Sequence, residues 1–243
     1  MSLYRDRGVV LRTYKLGEAD RIVVMVTSGH GKVRAVAKGI RRTKSRFGGR
    51  LEPLSHVDLL LYEGRELDIV TQAEIIEPWR PLHDDLNRLA QGMAMAEATE
   101  QVAQEREASE PLYRMLVGAL RTLAGRSSPL VVAAFYWKLL SLDGAGPVLT
   151  SCAGCGSSPP AAPLVAFDIG EGGTLCRACR RGQPLSPSAL ELLEWILGGQ
   201  LTRALEMPAS ATTAEVANLA TISLEHHLER RLRALRTLER SWA

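Results

Sequence analysis

Residues Ile22–Lys38 read IVVMVTSGHGKVRAVAK, and this segment predicts a β-hairpin. Its first five residues are too few and too rich in β-branched side chains for a helix, so they predict a strand. Ser28–Gly31 has the composition of a tight turn. In Lys32–Lys38 the side chains alternate, with lysine and arginine on one face and small apolar residues on the other. The second strand is therefore expected to bury one face and to expose a basic one.

Further strand signals lie on both sides of this hairpin. Residues 9–14 precede it, and residues 57–62 and 67–75 follow it. Five short strands in this length of chain predict a small β-barrel, and the OB-fold is the natural candidate. An SH3-like barrel would give a similar order of strands, so the strand count alone does not separate the two. The curved face of an OB-fold commonly binds single-stranded nucleic acid.

The period of the apolar residues changes after Pro78 and Pro81, from that of strands to that of helices. Pro111 and Pro129 suit the first turns of two helices, and Ser186 can cap another. The predicted helices cover approximately residues 86–106, 111–125, 129–142, 187–196 and 212–240.

All four cysteines of the chain belong to one pattern, C-x2-C-x20-C-x2-C, and they are Cys152, Cys155, Cys176 and Cys179. Two pairs at this spacing can direct four thiolates to one point, which suits a tetrahedral Zn²⁺ ion and leaves no position open for water. The predicted cofactor is therefore one structural zinc ion. Free or redox-active thiols are the main alternative. Two disulfides are disfavoured, because residues 1–20 lack the apolar region of a secretory signal.

These signals together predict an α+β multidomain fold. It consists of an N-terminal OB-fold β-barrel followed by an α-helical domain with an inserted four-cysteine zinc finger. The expected modules are the barrel at residues 1–79, the helical domain at 80–147 and 183–243, and the zinc-binding insert at 148–182. No stretch of about 18 apolar residues occurs, so no membrane partner is expected.

Charge is distributed unevenly, although the net charge is only +3. Residues 1–50 contain 13 Lys or Arg and 3 Asp or Glu, whereas residues 84–110 contain seven acidic and two basic residues. A segregated basic stretch indicates a polyanionic partner; an acidic protein or a merely solvated basic face are the alternatives. The residues predicted to contact the phosphates of a nucleic acid are the eight cations of residues 32–50: Lys32, Arg34, Lys38, Arg41, Arg42, Lys44, Arg46 and Arg50.

Two further features have both a functional and a structural interpretation. Phe47 lies inside the basic stretch, where it could stack on a base or anchor the chain to the barrel. Arg230, Arg231, Arg233 and Arg236 could contact DNA, or they could simply suit the C-terminus of a helix. No catalytic residue is predicted, since the chain has neither a phosphate-binding GxxxxGK[ST] loop nor an HxE motif before its cysteines.

Several segments resemble the RecO family of bacterial recombination mediators, and the similarity covers nearly the whole chain. The segments are Gly17–Arg21, Thr27–Lys32, Ala37–Arg42, Ser45–Phe47, Leu51–Pro53, Cys152–Gly156, Phe167, Gly172–Gly173, Leu175–Cys176 and Leu224–Leu228.

This resemblance implies an OB-fold, a helical domain and a zinc-binding insert. It implies a non-enzymatic protein of the bacterial cytoplasm, associated with the nucleoid, that binds single- and double-stranded DNA and anneals complementary strands. It also implies cooperation with RecR in loading RecA onto DNA coated by single-strand-binding protein (SSB), in a pathway that includes RecF. Residues that contact RecR or SSB are not identifiable from the sequence.

Two alternatives to this function remain open at the level of sequence. A nuclease would need convergent carboxylates to hold Mg²⁺, and the basic region offers only Asp6, Glu18 and Asp20, without supporting spacing. An RNA-binding OB-fold protein would have a similar composition. Competition between RNA and single-stranded DNA would separate that alternative from the DNA-binding one.

Overall fold

The computed structural model describes residues 2–234, which form two compact units. The first unit contains the residues up to Gly125 together with the described residues from Leu232 onward, and the second is Arg126–Arg231. Because the first unit includes helices as well as the barrel, this division differs from the three expected modules, whose independence stays a prediction. Within residues 2–234, no helix is long and apolar enough to cross a membrane.

A closed five-stranded barrel forms most of the first unit. Its strands are β1 (Leu3–Leu16), β2 (Asp20–Thr27), β3 (Gly31–Ala37), β4 (His56–Tyr62) and β5 (Asp68–Glu77). The order around the barrel is β1-β2-β3-β5-β4, and β4 pairs with β1 to close it. Strands β3 and β5 are parallel, and the other neighbours are antiparallel. This is OB-type topology, which confirms the predicted fold class.

The alternation of residues in β3 gives the burial that the sequence predicts. Val33, Ala35 and Ala37 lie in the barrel core, whereas Arg34 is exposed. The strand begins at Gly31, where a Cβ atom would lie only 1.9 Å from the carbonyl oxygen of Glu107. Glycine is required there, because any side chain would collide with that backbone.

The connection between β3 and β4, residues 38–55, is anchored to the barrel by apolar side chains. Ile40, Phe47 and Leu51 belong to the same buried core as the strand residues. Burial of apolar area contributes roughly 25 cal/mol per Å², so these anchors fix the backbone of the connection and leave its polar side chains outside. We call residues 38–55 the basic loop.

Within residues 2–125, three helices follow the barrel in the first unit: α1 (Arg80–Asp84), α2 (Leu86–Val102) and α3 (Glu110–Gly125). The Asp85 carboxylate caps α2 by accepting hydrogen bonds from the backbone amides of Asn87 and Arg88. After α2 the chain lies beside β3. There the Lys32 amide donates to the Gln104 carbonyl at 3.0 Å, and the Arg106 amide donates to the Lys32 carbonyl at 3.1 Å.

The second unit combines helices with a small sheet. Its helices are α4 (Val131–Leu142), α5 (Pro187–Leu197), α6 (Leu201–Leu205) and α7 (Ala211–His227). Between α4 and α5 lie β6 (Leu164–Asp168), β7 (Gly173–Cys176) and β8 (Gln183–Pro184), in the order β7-β6-β8. Ser186 caps α5, as predicted, with its hydroxyl accepting from the Ala189 amide at 3.2 Å.

The C-terminal helix predicted over residues 212–240 ends earlier than expected, at His227. Glu229 has a left-handed φ of 49°. The amides of Glu229 and Arg230 donate, at 3.1 Å each, to carbonyls in the last turn of α7. This pairing is a Schellman motif, which usually has glycine at the left-handed position. The sequence therefore lacks the ordinary signal for the end of this helix, and the predicted length is wrong.

Consequently, the arginines that follow are not part of α7. Arg230, Arg231 and Arg233 all lie beyond its end, and Arg236 lies outside the described residues. The amide of Arg233 donates to the Glu97 carboxylate at 2.9 Å, so the backbone here is tied to α2. A DNA contact by these arginines stays a prediction.

Candidate nucleic-acid interface and metal centre

The eight predicted DNA-contacting cations occupy two elements of the first unit. Lys32 and Arg34 lie on β3, and the other six lie in the basic loop. Lys32 is half-buried, and the remaining seven are exposed. The structure thus brings most of these cations to the surface of the barrel, but it places them in different local environments.

Two arginines of the basic loop hold backbone groups. The Arg41 guanidinium donates from Nη1 to the Glu18 carbonyl at 2.8 Å, and the Arg41 amide donates to the Ala19 carbonyl at 3.0 Å. Arg50 Nη1 donates to the Arg46 carbonyl at 2.9 Å. Arg41 therefore joins the loop to the β1–β2 turn, and Arg50 closes a turn within the loop.

Four cations of the loop are available for an external anion. Lys38, Arg42, Lys44 and Arg46 are exposed and, among residues 2–234, form no hydrogen bond or ion pair through their charged groups. The Arg46 guanidinium lies 4.9 Å from the centre of the Phe47 ring, a cation–π contact that positions it over the loop.

Phe47 is an anchor rather than a stacking platform. Its side chain is only 1% exposed and lies in the barrel core. A base could not reach either ring face without removing the side chain from that core. Of the two interpretations that the sequence allows, the structure supports the structural one.

Lys32 and Arg34 face residues 84–110 of the same chain, which we call the acidic segment. Lys32 Nζ donates to the Glu100 carbonyl at 3.0 Å, and the Arg34 guanidinium lies 4.0 Å from the Glu105 carboxylate. On β1, Arg12 pairs with Glu100 at 2.6 Å. The sequence signal for these partners is the acidic character of residues 84–110, but their location beside β3 depends on the tertiary fold.

Two buried carboxylates of the barrel, Asp6 and Asp68, accept several hydrogen bonds each. Asp68 is fully buried and accepts from Tyr4 Oη, Arg106 Nη2 and the Gly64 amide. Burial alone would raise the pKa of Asp68, but the hydrogen bonds from Tyr4, Gly64 and Arg106 outweigh it and lower the pKa. The same cause lowers the pKa of Asp6, which accepts from His30 and from the backbone of the β2–β3 turn.

His56 lies in a second polar cluster of the first unit. Its ring stacks on Trp79 at 5.4 Å, and its Nε2 is 2.7 Å from the Tyr113 hydroxyl. Burial lowers the pKa of His56, although the Glu77 carboxylate 3.7 Å away opposes that effect. The ring is therefore kept in its neutral form at neutral pH.

The four cysteines form one cluster in the second unit. Their sulfur atoms all lie within 4.8 Å of one another. Cys152 and Cys155 occupy a turn held to β7 by the Ala153 amide, which donates to the Thr174 carbonyl at 2.8 Å. Cys176 ends β7, and Cys179 follows in the next turn. We call residues 148–184, which carry this cluster, the cysteine module.

The thiols of this cluster affect one another's ionisation. Hydrogen bonds from the backbone at Cys176, Cys155 and Gly154 lower the pKa of Cys152 to about 6. Conversely, the neighbouring thiols raise the pKa of Cys179 to about 12. Four thiolates at this separation would repel each other strongly without a cation between them.

The geometry of the cluster fits a tetrahedral metal ion. Metal–sulfur bonds of about 2.3 Å in a tetrahedron place the sulfurs roughly 3.8 Å apart, and Cys155 Sγ and Cys176 Sγ are 3.8 Å apart. The four cysteines are free rather than paired in disulfides. The cluster is thus compatible with a metal site, and it is the one group of three or more His, Cys, Asp or Glu in residues 2–234 with metal-binding geometry.

The fold and these two sites define an OB-barrel protein with a four-cysteine cluster that is compatible with a metal site. Residues 1–79 match the family described as Recombination protein O N terminal, and residues 83–236 match Recombination protein O C terminal. The chain is also 45% identical, over 252 aligned residues, to the DNA repair protein RecO of Streptomyces coelicolor (strain ATCC BAA-471 / A3(2) / M145). That alignment covers 99% of this chain and 100% of the relative.

The chain therefore belongs to the recombination protein O family. Membership confirms the resemblance seen in the sequence and assigns the protein to DNA repair and recombination. It also implies DNA binding and partners within the recombination pathway.

Proposed function

We propose that this protein binds single- and double-stranded DNA, anneals complementary strands and, with RecR, helps to load RecA onto DNA coated by SSB. The observation that carries the proposal is the group of exposed, unpaired cations in the basic loop of an OB barrel. Family membership supplies the biological setting, because RecO proteins act in DNA repair.

Electrostatics explains how such a surface promotes annealing. Two DNA strands repel each other because both carry a dense row of phosphates. Cations that bind phosphates release condensed counterions and reduce this repulsion, which contributes both affinity and a strong dependence on salt. Contacts of this kind are independent of sequence, as annealing of arbitrary strands requires.

The eight predicted contact residues divide into three groups by their environment. Lys38, Arg42, Lys44 and Arg46 are proposed as the main phosphate ligands, since they are exposed and their charged groups form no hydrogen bond or ion pair within residues 2–234. Arg41 and Arg50 shape the loop through the carbonyls that they bind and add charge to the surface. Lys32 and Arg34 lie at the border with the acidic segment and are the weakest candidates.

The metal is proposed to be one Zn²⁺ ion held by Cys152, Cys155, Cys176 and Cys179. Four sulfur ligands are a set that zinc favours, and they saturate its coordination. When bound, the ion would neutralise thiolate charge and cross-link the two turns that carry the cysteines. Its role in this proposal is to stabilise the cysteine module rather than to activate water.

The remaining features of the proposal concern partners and chemistry. RecR and SSB are proposed as direct partners, RecA and RecF as functional ones, and action on the chromosome would place the protein at the nucleoid. A mediator of this kind needs no catalytic residue. A nuclease would need convergent carboxylates, and the only metal-binding group within residues 2–234 is the cysteine cluster.

Charge reversal in the basic loop tests the proposal. The double substitution Arg42→Glu/Lys44→Glu should weaken binding to single-stranded DNA at least about tenfold and should lower the slope of log affinity against log salt by about 1.4, or 0.7 per phosphate. Annealing of complementary oligonucleotides in the presence of SSB should slow in parallel.

A matched control separates a local effect from one of net charge. Arg114→Glu/Arg203→Glu makes the same change in net charge on two exposed helical residues. That variant should retain both the affinity and the salt slope of the wild type. Equal affinities and slopes for the wild type and the loop variant would refute the assignment of the basic loop to DNA binding.

A further inference from the structure

A row of partly exposed apolar side chains crosses the outer face of the barrel. Tyr14 on β1 pairs with Ile22 on β2, Ile22 pairs with Val36 on β3, and Val36 pairs with Ile69 on β5. Directly paired residues of adjacent strands point to the same face of a sheet. The inward-facing neighbours, such as Val23 and Ala35, lie in the barrel core, so this row faces outward. We call Tyr14, Ile22, Val36 and Ile69 the apolar row.

The apolar row is exposed where a barrel surface would ordinarily be polar. Tyr14 is 40% exposed, and Ile22, Val36 and Ile69 are all partly exposed. Scattered apolar residues on a surface need no explanation, but a contiguous row that includes an aromatic ring indicates an interaction surface.

Cations surround this row on two sides. On one side, Arg12 and Arg34 occupy the next positions of β1 and β3, and the Arg12 guanidinium lies 4.5 Å from the centre of the Tyr14 ring. On the other side, Lys38 follows β3, and Arg41 is bonded to the β1–β2 turn just beyond Tyr14. The apolar row is thus continuous with the basic loop.

The acidic segment marks where this surface ends. Glu100 pairs with Arg12, and Glu105 approaches Arg34, so the next row of β1–β3 is occupied by the protein's own chain. Val24, which lies between those two arginines in the register, is 2% exposed. The apolar row is the first row of side chains that the acidic segment does not cover, and it lies on the side of the basic loop.

We propose that Tyr14 stacks on a base of single-stranded DNA, and that the apolar row accepts the neighbouring base while the basic loop holds the phosphates. Single-stranded nucleic acid presents both features, an apolar ring face and a line of negative charge, that this surface complements. Arg12 covers one side of the Tyr14 ring, which leaves a single face for one base. The inference rests on the proposed DNA-binding function and assigns the base contact within it.

Stacking predicts that the protein distinguishes single-stranded from duplex DNA but does not distinguish one base sequence from another. Every base has a π-face, so the contact tolerates any sequence. In duplex DNA the base faces are covered by their neighbours in the stack, and only phosphates and base edges remain accessible. Tyr14 should therefore contribute to binding of single strands and contribute nothing to binding of duplexes.

The test compares Tyr14→Leu, which removes the ring but keeps an apolar side chain, with Tyr14→Phe, which keeps the ring. Fluorescence anisotropy with an oligothymidylate, an abasic oligonucleotide of the same length and a duplex gives three affinities for each protein. Tyr14→Leu should bind the oligothymidylate about fivefold or more weakly, the lower end of the range for one stacked base. Tyr14→Phe should bind like the wild type, and neither variant should change duplex or abasic affinity.

Three outcomes have distinct meanings. Loss confined to the single strand with bases supports stacking by Tyr14. Equal affinity of Tyr14→Leu and the wild type for the oligothymidylate overturns the inference while leaving DNA binding intact. Failure of the wild type to bind any DNA at low salt overturns the proposed function itself. Thermal unfolding of each variant, compared with the wild type, guards against an effect of misfolding.

Discussion

The barrel and the cysteine module differ in what holds them together. In the described structure, fourteen buried apolar side chains form the hydrophobic core of the barrel. The core around the cysteine cluster contains five, and two of these are Cys152 and Cys176 themselves. We therefore expect hydrophobic burial to stabilise the barrel alone, whereas the module, with fewer buried apolar side chains, should depend on a ligand for its sulfurs.

This difference explains where each region can place its charges. The barrel keeps its cations outside the apolar core, and four of those in the basic loop form no hydrogen bond or ion pair within residues 2–234. The cysteine module gathers four sulfurs at one point, where thiolates would repel one another without a cation between them. We therefore expect DNA binding to depend on the surface of the barrel and metal-dependent stability to be confined to the cysteine module.

Removal of the metal should have the largest effect on stability. The loss should be confined to the cysteine module and should leave the barrel folded. Structural zinc contributes apparent free energies of roughly 10–16 kcal/mol in zinc-finger peptides. We expect a chelator, or Cys176→Ser, to abolish amide protection in residues 148–184 while the barrel strands remain protected. Hydrogen–deuterium exchange checks this, with metal content measured on the same sample.

Restoring zinc to the chelated wild type should restore protection of the module, and this serves as the control. A module that stays protected after complete loss of metal would show that its apolar core is sufficient. The contrast between the two regions would then be wrong.

Truncation of the loop anchor should have the next largest effect. Phe47→Ala removes a ring that is 1% exposed from the barrel core and should lower the free energy of unfolding by about 3–5 kcal/mol. Chemical denaturation measures this loss. Because the loop loses its anchor, DNA affinity should fall as well, although no charge has changed. Phe47→Leu keeps much of the apolar volume, so its losses of unfolding free energy and of DNA affinity should be considerably smaller.

Acid should destabilise the first unit. The folded-state pKa values of Asp6, Asp68, Glu77 and His56 are all lowered, so the unfolded chain binds protons first as the pH falls. Stability attributable to His56 is present above about pH 6.5 and is lost below it, and that of the carboxylates is lost below about pH 4. Denaturant unfolding at several pH values, monitored by hydrogen exchange of the barrel strands, measures this pH dependence of stability.

A variant separates the histidine from the carboxylates. His56→Gln lacks the titrating ring, so the decline in barrel stability between pH 7 and pH 5 should flatten, while the decline at lower pH should persist. An unchanged pH profile would mean that His56 is not the responsible group.

Release of Arg34 from its acidic partner Glu105 should have the smallest effect, a small change in DNA affinity. Arg34 lies 4.0 Å from Glu105, and both side chains are about half exposed; such pairs contribute at most about 1 kcal/mol. Glu105→Gln should therefore raise affinity for single-stranded DNA by a factor of only about two to five. Glu110→Gln, which alters a comparable exposed pair with Arg114, should leave affinity unchanged. A decrease in affinity for Glu105→Gln would show that this acidic residue helps DNA binding.

Local patterns were sufficient to predict the barrel and the cysteine cluster. The alternation in β3 and the spacing of the cysteines are periodic signals, and each is independent of distant parts of the chain. The environment of each cation was not predictable in this way. Whether Arg34 faces DNA or Glu105 depends on how the chain after α2 lies against β3, which is a tertiary contact.

The end of α7 and the role of Phe47 could not be predicted from the sequence, for related reasons. Glu229 adopts a left-handed backbone without being glycine, so the usual stop signal is missing. Phe47 lies in a polar segment, and only the barrel that surrounds it shows that the ring is buried. Local composition describes a residue's preference, whereas these outcomes depend on its neighbours in space.

The anchoring of Phe47 has a thermodynamic consequence for ligand capture. It divides the connection between β3 and β4 into two short spans, each tethered at both ends, so most of the entropy of ordering is lost when the chain folds. Little apolar surface of the loop itself then remains to be buried when a polyanion binds. Calorimetry should accordingly find a heat-capacity change of association near that of rigid docking and far smaller than that of a segment that folds on binding.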